Sequence, residues 1–149
     1  MRAHEGRALI LHFIFTHCVA ACHRQVRDLR FLRESLPADT RLRVQFLSVS
    51  LDPAQDTPEA LRRYAQENGI TDAAWRFATA PSDVIDRLTQ ALGVQRQPLP
   101  DGQIDHTLVV FLFDAKGRLI QRYTGAVDTP RLVRTISDVV RLFDSQETR

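Results

Sequence analysis

Residues 8–15, ALILHFIF, are apolar at every position except His12. The run has the length of one strand and no polar-apolar alternation. Such a pattern fits a strand buried on both faces, which requires covering layers on both sides of its sheet. No other stretch constrains the fold as strongly. No run of 18 or more apolar residues follows it, so it reads as a core strand and not a membrane span. The preceding MRAHEGR carries no apolar region of a secretory signal.

The rest of the chain alternates in the same sense. Val26, Leu29, Leu32 and Leu36 fall at helical spacing, with Arg24, Arg27, Arg30 and Arg33 on a solvated face and Pro37 as terminator. RLRVQFLSVS (41–50) predicts a second buried strand. DTPEALRRYAQENG (56–69) predicts a helix with Thr57 as N-cap, Pro58 just inside and Gly69 past its end. WRFA (75–78) reads as a short strand, and PSDVIDRLTQALG (81–93) as a helix beginning near Ser82. VQRQPLPDGQID (94–105) reads as a loop or irregular hairpin. TLVVFLF and RLIQRYTG flank a turn at Asp114–Gly117, a hairpin signature. The closing helix, 128–143, takes Thr129 as its cap, and SQETR reads as a frayed tail. This order, β-α-β-α-β-α-β-β-α, predicts one domain over residues 1–149. It is an α/β domain with a central mixed sheet flanked by helices, ending in a β-hairpin and a helix. That is the order of a thioredoxin-like fold.

Twenty Lys and Arg against 18 Asp and Glu give a formal charge of +2, too mild to imply a nucleic-acid partner. The two cysteines, Cys18 and Cys22, are too few for a disulfide framework. They stand in FTHCVAACH, where the first strand hands over to the first helix. Four residues of helix rise about 6 Å, so both sulfurs share a face and can form a disulfide or bind an ion together. Unpaired N–H groups at a helix start favour thiolate, which serves either use.

His106, in IDHTLVV, precedes the first strand of the terminal hairpin. In a thioredoxin-like fold this loop lies beside the cysteine motif and usually holds a cis-proline. Two thiolates and an imidazole suit Cu(I), Cu(II) or Zn(II). A structural zinc site wants four ligands, so three candidates favour copper. His12 alternates with apolar neighbours and reads as a packed strand residue. His17 and His23 border the cysteines as secondary candidates for a fourth ligand, and His4 carries no signal.

Three blocks resemble the SCO/SenC family, thioredoxin-fold copper proteins that help assemble cytochrome c oxidase. They are FIFTHCVAAC, SVSLDPAQDTPEALRRYA and DHTLVVFLFDAKGRLIQRYTG, in the family's order and over nearly the whole chain. The resemblance implies a metal site of Cys18, Cys22 and His106. It also implies copper delivery to, or thiol reduction at, the copper site of oxidase subunit II or a similar client. A periplasmic or membrane-associated location facing the periplasm comes with it. Asp52 and Asp56 match the family's acidic positions. Locally, Asp52 before Pro53 reads as a turn former and Asp56 as a favourable charge ahead of a helix.

The chain departs from the family pattern in two places. Val19 and His23 stand where the family motif has prolines after its cysteines. The chain also starts only a few residues before the first strand, so the N-terminal part of the family fold, a short hairpin, is expected to be missing. The leading expectation is a copper-binding metallochaperone-like protein with no turnover of its own. The rival is a thiol-disulfide oxidoreductase in which Cys18 attacks and Cys22 resolves. A peroxidase of the peroxiredoxin type wants T-x-x-C, whereas Thr16 lies only two residues before Cys18.

Overall fold

A computed structural model describes residues 6–19 and 21–148; His4 lies outside them. The elements are β1 (Ala8–Ile14), α1 (Ala21–Ser35), α2 (Ala38–Leu42), β2 (Val44–Ser50), α3 (Pro58–Glu67), β3 (Trp75–Ala78) and α4 (Ser82–Ala91). They continue with β4 (Arg96–Pro98), β5 (Ile104–His106), β6 (Val109–Phe113), β7 (Leu119–Thr124) and α5 (Thr129–Glu147). Five strands form one mixed sheet in the order β3-β2-β1-β6-β7. β1 runs parallel to β2 and antiparallel to β6. β4 and β5 form a separate antiparallel ribbon.

The unalternated apolar run is the middle strand, and all seven of its residues are buried. Successive side chains go to opposite faces. Ile10 and Ile14 pack with Val26, Leu29 and Leu32 of α1 and Leu132 and Ile136 of α5. Leu9, Leu11 and Phe13 pack on the other side with Ile85 of α4 and Phe111. Each such fully buried side chain contributes roughly 1.5–3 kcal/mol of transfer free energy. A helix layer on each face is what a doubly buried strand requires.

His12 is wholly buried in this strand, as its pattern suggests. Ser48 Oγ accepts the Trp75 Nε1–H at 2.9 Å, so its own hydroxyl is free to donate to His12 Nε2 at 2.6 Å. Nδ1 then carries the ring proton and donates to Gln25 Oε1 at 3.0 Å. Both ring nitrogens are satisfied in the neutral form, and burial lowers the His12 pKa from 6.5 to about 4.

Three local expectations are corrected. Residues 41–43 are not strand: β2 starts at Val44, because a one-turn helix follows Pro37 and Arg41 N–H donates to the Pro37 carbonyl at 2.8 Å. The Arg41 guanidinium donates to the Glu34 and Leu36 carbonyls, both at 3.0 Å, at the exposed end of α1. The cap of α5 is Asp128, whose side chain accepts from Arg131 N–H at 3.2 Å, and Thr129 is the first helical residue. The tail also continues α5 to Glu147, since Asp144 pairs with Arg43 and Lys116 reaches Gln146. The ambiguous 94–105 stretch is the β4–β5 hairpin. The DAKG turn forms as expected: Asp114 accepts from the Lys116 and Arg118 N–H groups, and Gly117 takes φ +78°, open to glycine.

Candidate metal and thiol site

β1 delivers Phe15 to the edge of the core, and the loop that follows turns at once, with Cys18 N–H donating to the Phe15 carbonyl at 3.2 Å. Phe15, Cys18 and Cys22 form a small buried cluster against Ile104 of β5. Cys18 is 8% exposed and Cys22 fully buried, and both are free thiols. The Cys22 N–H points at Cys18 Sγ, 3.4 Å away. That is the helix-start N–H to sulfur contact expected of a cysteine at this junction.

His106 arrives from the far end of the chain. It is the last residue of β5, held in register by pairing with Arg96 and by the Thr107 N–H bond to the Gln95 carbonyl at 3.0 Å. Its Nε2 lies 3.4 Å from Cys22 Sγ. Its Nδ1 is 3.2 Å from the Thr107 carbonyl, which can only accept, so Nδ1 carries the proton. The Nε2 lone pair therefore faces the sulfur. Phe15 packs edge-on to the imidazole at 5.9 Å. Burial pushes the His106 pKa below the ordinary histidine value, against the Thr107 carbonyl and Asp105, which pull it up.

Cys18, Cys22 and His106 are thus neighbours in series, with Cys22 in the middle. Among the described residues, no three His, Cys, Asp or Glu side chains, these included, stand close enough together to hold an ion as they are placed. Two sulfurs and an unprotonated imidazole nitrogen nonetheless make a donor set suited to a soft or borderline cation. The expectation of thiolate character fails at Cys22. Burial first, and the adjoining Cys18 second, push its thiol far above the ordinary range, outweighing the backbone N–H groups that favour the anion.

Asp56 does more than precede a helix. Thr57 is the cap of α3, accepting from Ala60 N–H at 3.1 Å, while Asp56 is completely buried. Its Oδ1 accepts the Thr16 hydroxyl at 2.5 Å. Its Oδ2 accepts the Thr16 N–H at 3.1 Å and the Ser50 hydroxyl at 2.6 Å. Asp52 forms the expected turn, its carbonyl accepting from Asp56 N–H at 2.9 Å.

Two further residues border this site without any sequence signal, Gln103 by direct bonds to the cysteine loop and Tyr64 by its electrostatics. The Gln103 side chain spans the cysteine loop: Nε2 donates to the His17 carbonyl at 2.7 Å and Oε1 accepts from Val19 N–H at 3.3 Å. Among the described residues the buried Tyr64 hydroxyl has no hydrogen-bond partner, and burial, then Cys22, Cys18 and Asp56, raise its pKa. Such contacts cross 84 or more residues for Gln103, so no local pattern announces them. His17 is exposed and faces Thr16, and His23 is exposed and packs its ring 5.3 Å from Tyr64. Neither makes a hydrogen bond to Cys18 or Cys22.

A family model described as SCO1/SenC matches residues 2–141. A protein of Stutzerimonas stutzeri named for copper binding is 33% identical over 104 residues, 70% of this chain and 50% of that protein. The SCO1 protein homolog of Bacillus subtilis (strain 168) is 26% identical over 129 residues, 85% of this chain and 66% of that protein. The chain thus spans about half to two thirds of the length of these relatives. Among solved structures, Arabidopsis thaliana ScoI with copper bound superposes with a TM-score of 0.81 at 22% identity, over 92% of this chain and 85% of that one. That likeness is one of fold.

Proposed function

The chain belongs to the SCO1/SenC family, and from that premise we propose that it binds copper as cargo through Cys18, Cys22 and His106 and hands it to a client protein. The observation that carries this reading is the His106 Nε2 lone pair aimed at Cys22 Sγ from 3.4 Å, with Nδ1 tied to a backbone carbonyl. Metal-binding histidines are commonly oriented in this way through their second nitrogen. Family membership and the copper-related names of its relatives support copper as the ion. The client is the copper site of cytochrome c oxidase subunit II or a comparable dithiol protein, on the periplasmic side of a membrane. Among the described residues, no helix is long and apolar enough to cross a membrane.

The protein's own groups have three tasks in this scheme. Cys18, at the surface edge of the cluster, meets the client first. Cys22 gives up its proton on loading. His106 supplies a neutral nitrogen without proton loss. Titrating reduced protein with copper should give about one equivalent bound with thiolate-to-copper charge-transfer absorption. Cys18→Ser, Cys22→Ser and His106→Ala should each weaken binding severely. Equal affinity in His106→Ala and the parent chain would sink the three-donor assignment.

One observation favours a second reading, thiol-disulfide exchange with a client dithiol. The more exposed sulfur, Cys18, receives the Cys22 N–H, as an attacking thiolate needs, and Cys22 lies behind it to resolve the mixed disulfide. Turnover in an insulin-reduction assay with dithiothreitol separates this reading from copper carriage. The two remain compatible, since a Cys18–Cys22 disulfide removes both sulfur donors.

A further inference from the structure

We propose that Asp56 is the positioning residue of the cysteine loop, acting on Cys18 through Thr16; the copper consequence rests on the function proposed above. The loop leaves β1 at Phe15 and has only Thr16 and His17 before Cys18. The Asp56 carboxyl takes both polar hydrogens that Thr16 offers, the hydroxyl at 2.5 Å and the N–H at 3.1 Å. A residue held by both its side-chain hydroxyl and its backbone N–H cannot swing, so the direction in which the chain sets off toward Cys18 is defined.

The anchor is itself immobile. Asp56 is fully buried, and its Oδ2 also receives the Ser50 hydroxyl at the end of β2. Ser50 Oγ in turn accepts the Asp52 N–H at 3.0 Å, and the Asp52 carbonyl accepts the Asp56 N–H. The carboxyl is thus fixed to the adjacent strand and its turn on one side, and holds the cysteine loop on the other. Three donors converge on one buried carboxyl, a degree of satisfaction that a solvated helix-start aspartate neither needs nor finds.

The geometry supplies its own control. Thr16 and Ser50 each give one hydroxyl to the same carboxyl, yet only Thr16 belongs to the cysteine loop. Thr16→Val keeps the shape and the N–H bond but deletes the loop-side hydroxyl, and Ser50→Ala deletes the strand-side one. In metal-free full-length protein, Cys18 of Thr16→Val should react about tenfold faster with a chromogenic aromatic disulfide, the site being identified by peptide mass mapping. Ser50→Ala leaves both Thr16 bonds and the Asp56 N–H bond to the Asp52 carbonyl in place, so it should stay within about twofold of the parent, and Thr16→Ser should restore the parent rate. Copper retention against a competing chelator should fall about tenfold in Thr16→Val and not in Ser50→Ala. Equal acceleration in both variants would make Asp56 a stabiliser of the fold at large and overturn the proposal, as would an unchanged rate in Thr16→Val. If the parent chain takes up no copper, the copper reading falls, while the thiol rates still decide the positioning role.

Discussion

His106 Nε2 and Cys22 Sγ stand 3.4 Å apart although 84 residues separate them in sequence. Their protonation states complement one another. Burial lowers the pKa of the imidazole and raises that of the thiol, so each is neutral near pH 7. The proton that loading must displace therefore resides on sulfur.

Copper uptake should accordingly release protons and strengthen as pH rises. A ligand whose free thiol titrates above the working range loses about one log unit of affinity per pH unit of acidification. His106 adds no such loss until pH falls below the ordinary histidine range. Calorimetric titration in buffers of different ionisation enthalpy, between about pH 6 and about pH 8, measures the release. Affinity independent of pH across that interval would contradict the protonated Cys22.

His12 should make folding stability fall in acid. Its folded pKa is about 4 against 6.5 unfolded, so the unfolded chain takes the proton first. Its contribution is complete above pH 6.5, declines as pH drops toward about 4, and levels off below that. The full difference is on the order of 3 kcal/mol. Urea unfolding across this window should be flatter for His12→Gln than for the parent chain. Parallel pH profiles would mean that the buried imidazole is not held neutral.

His23→Pro, which restores the family proline after the second cysteine, should be tolerated. His23 lies in the first turn of α1, where a helix N–H has no intrahelical acceptor and proline is accommodated. The lost packing on Tyr64 involves an exposed ring, so stability should change by no more than about 1 kcal/mol. Copper stoichiometry should stay the same. A loss of binding in this variant would point to His23 as a ligand.

Gln103→Ala should loosen the cysteine loop without unfolding the protein. It removes the bonds to the His17 carbonyl and the Val19 N–H, both on the loop that carries Cys18. Amide exchange at Val19 should rise several-fold while the melting temperature moves by only a few degrees. Unaltered exchange would show that Gln103 does not hold the loop.

Much of this site is legible in the chain because its cues are local. The doubly buried strand shows as ALILHFIF, the junction as FTHC, and the cap of α3 as Thr57 before Pro58. His106 is singled out because a family pattern assigns that position a neighbour. Where the reading failed, neighbours in space overruled neighbours in sequence. Arg41 looks like strand until the open carbonyls of α1 claim its guanidinium. SQETR looks frayed until Arg43 meets Asp144. Asp56 looks like a helix-start charge until Thr16, 40 residues earlier, turns out to be its partner.

The sequence by itself determined the alternation of strands and helices, the strand that is buried on both faces and the strand-to-helix junction that carries both cysteines, because periodicity and turn chemistry act over a few residues. Tertiary structure alone decided which nitrogen of His106 meets sulfur, that burial pushes the Cys22 thiol up, and that Asp56 and Gln103 bond to the cysteine loop. These depend on burial and on hydrogen bonds a few ångströms long between segments 40 to 86 residues apart, and pairing at that range is set only when the whole sheet has formed.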